Sequence, residues 1–169
     1  TPGTALIDAA SGATFTVNGI IASAGNTGVN SLTVNSVASM PGTVVLGGAN
    51  LFAGTTVISG GTLTLGNSLA LQNSTLNYNN QGGTLSFGTQ TAALIGGFAG
   101  SQDLNYGTVN LNLGTNNSTT TYSGHLIGSG QLQKSGTGTL TLANPGYTGS
   151  TYVYNGGFNI TGGTLTSHL

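Results

Sequence analysis

The phrase "GGTLTLG" at Gly60–Gly66 returns as "GGTLSFG" at Gly82–Gly88, as "GTGTLTL" at Gly136–Leu142 and as "GGTL" at Gly162–Leu165. One chemical site needs one set of groups, so a phrase written four times describes a structural unit that is stacked. The two cleanest copies begin 22 residues apart, a length that suits one turn of a parallel β-helix made of short strands and corners. Within the phrase, Leu63 and Leu65 point to one side of a strand, and Thr62 and Thr64 to the other. One strand cannot bury its leucines alone, but a stack can. The repeat therefore predicts a three-sided parallel β-solenoid in which Leu63, Leu85, Leu140 and Leu165 form successive layers of one apolar column, flanked by Leu65, Phe87 and Leu142. The 22-residue spacing divides the 169-residue chain into about seven to eight rungs of one domain, residues 1–169. At roughly 4.8 Å per rung the body is about 35 to 40 Å long.

The rest of the chain agrees with strands and disagrees with helices. "TFTVNG" (Thr14–Gly19), "SLTVNS" (Ser31–Ser36), "TVVLGG" (Thr43–Gly48), "TLNYNN" (Thr75–Asn80) and "TVNLNLG" (Thr108–Gly114) alternate apolar with polar residues and close on Gly, Asn or Ser, residues that accept corner conformations. Glycine interrupts every window long enough for a helix, at a cost of about 1 kcal/mol per residue against alanine. A longer repeat is also legible. "GTVVLGGANLFAGTTVISGG" (Gly42–Gly61) returns as "GTLTLANPGYTGSTYVYNGG" (Gly138–Gly157), with Phe52 and Tyr147 in equivalent places. After the second double glycine, Phe158 and Ile160 come one position earlier than Leu63 and Leu65 do.

That order of segments, from Gly42 to about Leu165, resembles the autotransporter-associated β-strand repeats, also called passenger-associated transport repeats. The resemblance implies an all-β, right-handed parallel β-helix, exported from a bacterium and displayed at or beyond the cell surface. It implies no particular activity. The membrane barrel that anchors autotransporters is not within these 169 residues.

Charge excludes whole classes of function. Asp8, Asp103 and Lys134 are the only charged side chains, 2% of the chain, against about 25% in an ordinary soluble domain. With no arginine and no basic patch, phosphate backbones have nothing to hold them, and nucleic acid is not an expected partner. The regular alternation of Val, Leu, Ile, Phe and Tyr argues against disorder. No apolar run approaches the 18 or so residues of a membrane helix, so membrane insertion is not expected. Cysteine is absent, so stability must come from repeated packing without disulfides. Thr1 opens the chain without the basic and apolar regions of a signal peptide, so any leader is expected either to have been removed or never to have been part of these 169 residues.

Candidate chemistry is sparse. Asp8 and Asp103 fall about four rungs apart, on the order of 20 Å, too far for an acid/base pair. His125 and His168 fall about two rungs apart, roughly 10 Å, too far to share a metal ion. "GGFAGSQD" (Gly96–Asp103) has one aspartate where stacked calcium turns need one in each turn. Lys134, in "QKSG", has no preceding glycine-rich loop and is expected on a solvated face or blunting an edge. Thr14/Thr16, Thr62/Thr64, Thr119/Thr121, Thr139/Thr141 and Thr164/Thr166 have the Thr-x-Thr form of ice-binding ladders, although their uneven spacing aligns only some of them. Asn77, Asn79, Asn112, Asn116 and Asn144 fall in or beside corners, where amides can stack rung on rung. "NST" at Asn73 and "NNST" at Asn116 and Asn117 are formal glycosylation acceptors of a kind that such corners generate by chance.

The sequence thus reads as an extracellular, non-enzymatic structural protein with no catalytic, cofactor or metal site. Its end rungs are open edges and its net charge is near zero, so it is expected to self-associate head to tail into a cell-surface or matrix fibre. The alternatives are a passenger or stalk segment of a larger adhesin, and an ice- or carbohydrate-binding solenoid.

Overall fold

The computed structural model describes residues 3–22, 30–35 and 41–164, and the described chain is built of strands and corners without a helix. Sixteen strands follow one another: β1 (Thr4–Ile7), β2 (Thr14–Val17), β3 (Ser31–Val34), β4 (Thr43–Leu46), β5 (Thr55–Ile58), β6 (Thr62–Leu65), β7 (Leu71–Tyr78) and β8 (Thr84–Ser86), then β9 (Ala92–Gly100), β10 (Leu104–Gly107), β11 (Asn110–Leu113), β12 (Thr120–Gly128), β13 (Leu132–Lys134), β14 (Thr139–Pro145), β15 (Thr151–Val153) and β16 (Gly157–Ile160). Every pairing among them is parallel and joins strands one turn apart. This is a β-solenoid of about six turns, close to the expected seven to eight rungs.

Each turn visits three sides in order. The first side stacks β1, β3, β5, the second half of β7 and of β9, the start of β12, then β14 and β16. The second side stacks β2, β4, β6 and β8 and resumes with β10 paired to the end of β12. The third side stacks the start of β7 and of β9, then β11, β13 and β15. Because β7 and β9 run through the corner from the third side to the first, these two sides merge, and with β10 joined through β12 they form one twelve-stranded sheet.

Alternation decides what is buried. Val44 and Leu63 register on the second side and Leu46 with Leu65, all with no exposure, whereas Thr43, Val45, Thr62 and Thr64 between them face outward. Leu85 and Phe87 continue inward on the next turn, Leu85 partly buried. Each fully buried leucine contributes about 1.5 to 3 kcal/mol. Phe98 stacks on Tyr122, with centroids 4.1 Å apart and an interplanar angle of 26°.

The single apolar column divides in two. Leu63 and Leu85 are neighbours on the second side. Leu140 is buried on the first side, between Thr120 and Phe158. Leu165 lies outside the described residues. The repeated phrase follows a glycine corner each time, but between the second and third copies the chain does not complete a whole number of turns. The same phrase therefore serves two different sides.

Lys134 is a second correction. It occupies an inward position of β13, in register with Leu113 on one turn and Val153 on the next, and is 1% exposed. Its ammonium group donates to the carbonyls of Ser135 (2.5 Å), Gly136 (2.9 Å) and Asn155 (3.2 Å). The corner closing the third side turns its carbonyls toward this point, and the long apolar stem fills the column meanwhile.

Candidate functional site

Among the described residues, the corners hold much of the polar chemistry of this fold. Asn35, fully buried and at φ 48°, accepts from Ala9 N (2.8 Å) and donates to the carbonyls of Gly42 and Gly60 (3.0 Å each). Asn50, also buried, accepts from Ile21 N (2.8 Å) and donates to Ala70 O (3.0 Å). Each amide thus ties the turns before and after it, satisfying backbone groups that water cannot reach. The asparagines expected to stack at corners are placed differently. Of these, Asn116 donates to Thr75 Oγ1 (2.9 Å) and Asn112 to Gln133 Oε1 (3.4 Å), while Asn144 is exposed and Asn79 Oδ1 has no partner. The clue to Asn35 and Asn50 was their place at the ends of "LTVN" and "GGAN", just past apolar strands.

Asp103 and His125, 22 residues apart, lie on adjacent turns. The backbone N–H of His125 donates to Asp103 Oδ1 at 2.7 Å. The imidazole packs against Gly146 of the following turn, where a Cβ would collide with Nε2. Asp103 therefore caps the His125 backbone and does not orient its ring, so the two do not form the hydrogen-bonded acid/base relay that nucleophilic catalysis requires. Asp8 sits on the first turn, just after β1, and His168 lies outside the described residues. Among the described residues no three His, Cys, Asp or Glu side chains come together.

Four tyrosines are buried, and each hydroxyl is engaged. Tyr78 OH accepts from Leu85 N and Gln102 Nε2, Tyr122 OH donates to Gln102 O, Tyr106 OH donates to Gly130 O, and Tyr147 OH pairs with Thr151 Oγ1. Burial pushes the phenols of Tyr78, Tyr106 and Tyr122 above their ordinary range. Burial lowers the Lys134 ammonium from its ordinary 10.5.

The threonines form a ladder where the spacing is regular. Thr14, Thr43, Thr62 and Thr84 are in register on the outer surface of the second side, beside Thr16, Val45, Thr64 and Ser86. Thr62 Oγ1 and Thr84 Oγ1 are 3.1 Å apart, so neighbouring rungs exchange hydroxyl hydrogen bonds. Thr121 registers with Thr141 on the first side, and Thr166 lies outside the described residues. The described residues also form recesses. A mainly apolar one of about 260 Å³ opens between the first two turns beside Ile21, Leu32 and Phe52, and a polar one of about 360 Å³ lies beside Asn80, Ser101, Gln102 and Asp103.

Parallel strands in register, stacked turn on turn along three sides, define a β-solenoid repeat protein. Two segments of the chain, residues 41–65 and 132–166, match the family model of the passenger-associated transport repeat. No curated protein and no solved structure matches the chain. The two family segments start on different sides of the solenoid. The first opens with β4 on the second side, and in the second the equivalent strand is β14 on the first side.

Proposed function

We propose that the protein is a non-enzymatic structural solenoid, exported to the cell surface or beyond, whose end turns stack on those of further copies to build a fibre. The observation behind this reading is what happens to the inward columns at the two ends of the described solenoid. Val44 is fully buried, yet Phe15, its inward partner on the first turn, is 51% exposed. At the other end Leu142 is fully buried and its partner Ile160 is 37% exposed. Among the described residues β1, β2, β15 and β16 each pair on one side only, and none carries a charged side chain. Unpaired, uncharged strand edges are templates for further strands, and two different ends joined head to tail propagate without closing. The family supports export and surface display, because passenger repeats are the exported part of autotransporters.

The family match also favours a second reading, in which further turns of the same repeat in a longer surface protein cover these ends. Light scattering and negative-stain microscopy of the purified chain separate the two. Fibres support self-assembly, and a stable monodisperse monomer removes it and leaves the passenger-segment reading.

A further inference from the structure

We propose that the outer surface of the third side is a binding platform for a flat, neutral β-1,4-linked polysaccharide, with Tyr152 and Tyr154 as its aromatic contact. These are the two tyrosines that the core does not use. They are 44% and 65% exposed, with near-parallel rings (13°) whose centroids are 6.4 Å apart. Register fixes their direction. Thr151 and Val153 pair with the inward Leu132 and Lys134, so Tyr152, opposite the outward Gln133, leaves the sheet toward solvent, and Tyr154 follows it two positions on. A turn added at the end of the solenoid would cover the strand edge of β15 and leave this outward surface open. The platform is therefore the same in a monomer and in a fibre.

Beside the tyrosines the same surface presents a row of amides. Gln131 and Gln133 lie one turn away, and Asn110 and Asn112 one turn further. They brace one another: Asn112 Nδ2 donates to Gln133 Oε1 (3.4 Å), Gln133 Nε2 to Gln131 Oε1 (3.4 Å), and Gln131 N to Asn110 Oδ1 (3.1 Å). Side chains already ordered on a rigid sheet lose little further entropy on binding.

The chemistry of the surface selects the ligand. A pyranose chain with equatorial hydroxyls has apolar C–H faces and a polar rim. The faces cover exposed aromatic rings, and the hydroxyls pair with amides, which donate and accept at one site. No outward side chain on β11, β13 or β15 is charged, so acidic polysaccharides and nucleic acids find no counter-charge there. From β11 to β15 the platform spans two strand spacings, about 10 Å, room for a short run of linked rings.

The test is co-sedimentation of the unassembled protein with microcrystalline cellulose and with chitin, in low and high salt. The expected result is salt-insensitive binding to at least one of them. The doubly substituted Tyr152→Ala/Tyr154→Ala chain should bind at least about tenfold more weakly with an unchanged circular dichroism spectrum, and Tyr154→Phe should still bind. No binding of the native chain to either polymer, binding lost in high salt, or undiminished binding by the double variant overturns the proposal. Binding by a protein that forms no fibres keeps this platform and removes only the assembly reading.

Discussion

Lys134 stands directly over Leu113, both side chains directed into the solenoid and both buried. An ammonium in an apolar column is tolerable here because three carbonyls converge on it. Lys134→Ala removes the stem and the carbonyls' partner together, and should cost about 2 to 4 kcal/mol in urea unfolding. Lys134→Met keeps the volume and removes the desolvated charge, so it should lie within about 1 kcal/mol of the native chain. Equal, near-zero effects of both would mean that Lys134 is a surface residue.

Asn35 supplies three hydrogen bonds that join three turns, from a left-handed backbone position. Asn35→Ala leaves Ala9 N and the carbonyls of Gly42 and Gly60 without that partner, and alanine lacks the side-chain amide that makes a left-handed backbone tolerable for asparagine. The expected cost is about 3 to 5 kcal/mol. Asn144→Ala, at an exposed corner position, should change the denaturation midpoint very little.

Alkaline stability follows from groups of opposite sign. The Lys134 pKa is lowered in the fold, so the unfolded chain holds more protons between that value and 10.5, and stability rises with pH across this window. The pKa values of Tyr78, Tyr106 and Tyr122 are raised, so above their ordinary 10.0 the folded chain holds more protons and stability falls as pH rises. Unfolding midpoints measured from about pH 9 to 11 should turn downward above about pH 10. A Tyr106→Phe/Tyr122→Phe chain should show a weaker downturn, and Lys134→Met should lack the preceding rise.

At the corner that closes the third side, Gly114, Gly136 and Gly156 follow one another on successive turns, all at positive φ. A Cβ on Gly136 would strike the Gly114 carbonyl, and one on Gly156 the Gly136 and Gly138 carbonyls. Gly136→Ala combines the clash with backbone strain and should lose about 2 to 4 kcal/mol. Gly107→Ala, with a similar φ and open space around it, measures the strain alone and should cost about 1 kcal/mol.

The assembly reading is tested at one inward residue of the last turn. Ile160→Lys sets a charge at the edge of β16, where its partner Leu142 is fully buried. Fibres seen with the native chain should be lost while the monomer stays folded, because edge lysines oppose strand addition. Unchanged fibres would show that the contact lies elsewhere.

Periodicity two and a recurring glycine corner were enough to establish strands, parallel stacking and the inward residues Leu63, Leu65, Leu140 and Leu142, because alternation is a local property of the chain. Even the weaker opening segment behaved as read, with Phe15 and Val17 opposite Val44 and Leu46. Which side each phrase occupies was decided only in three dimensions. The step from one turn to the next ranges from 18 residues, Ala92 to Asn110, to 29, Thr14 to Thr43, so distance along the chain does not determine position around the solenoid. That uncertainty separated Leu140 from Leu63 and Leu85. Lys134 was misread for a different reason. Its charge argues for solvent, and only the converging carbonyls of two neighbouring turns, invisible in a linear string, make its burial tolerable. Asn35 and Asn50 likewise are ordinary corner residues in the sequence and become clamps only when the turns on either side present their backbone groups to them.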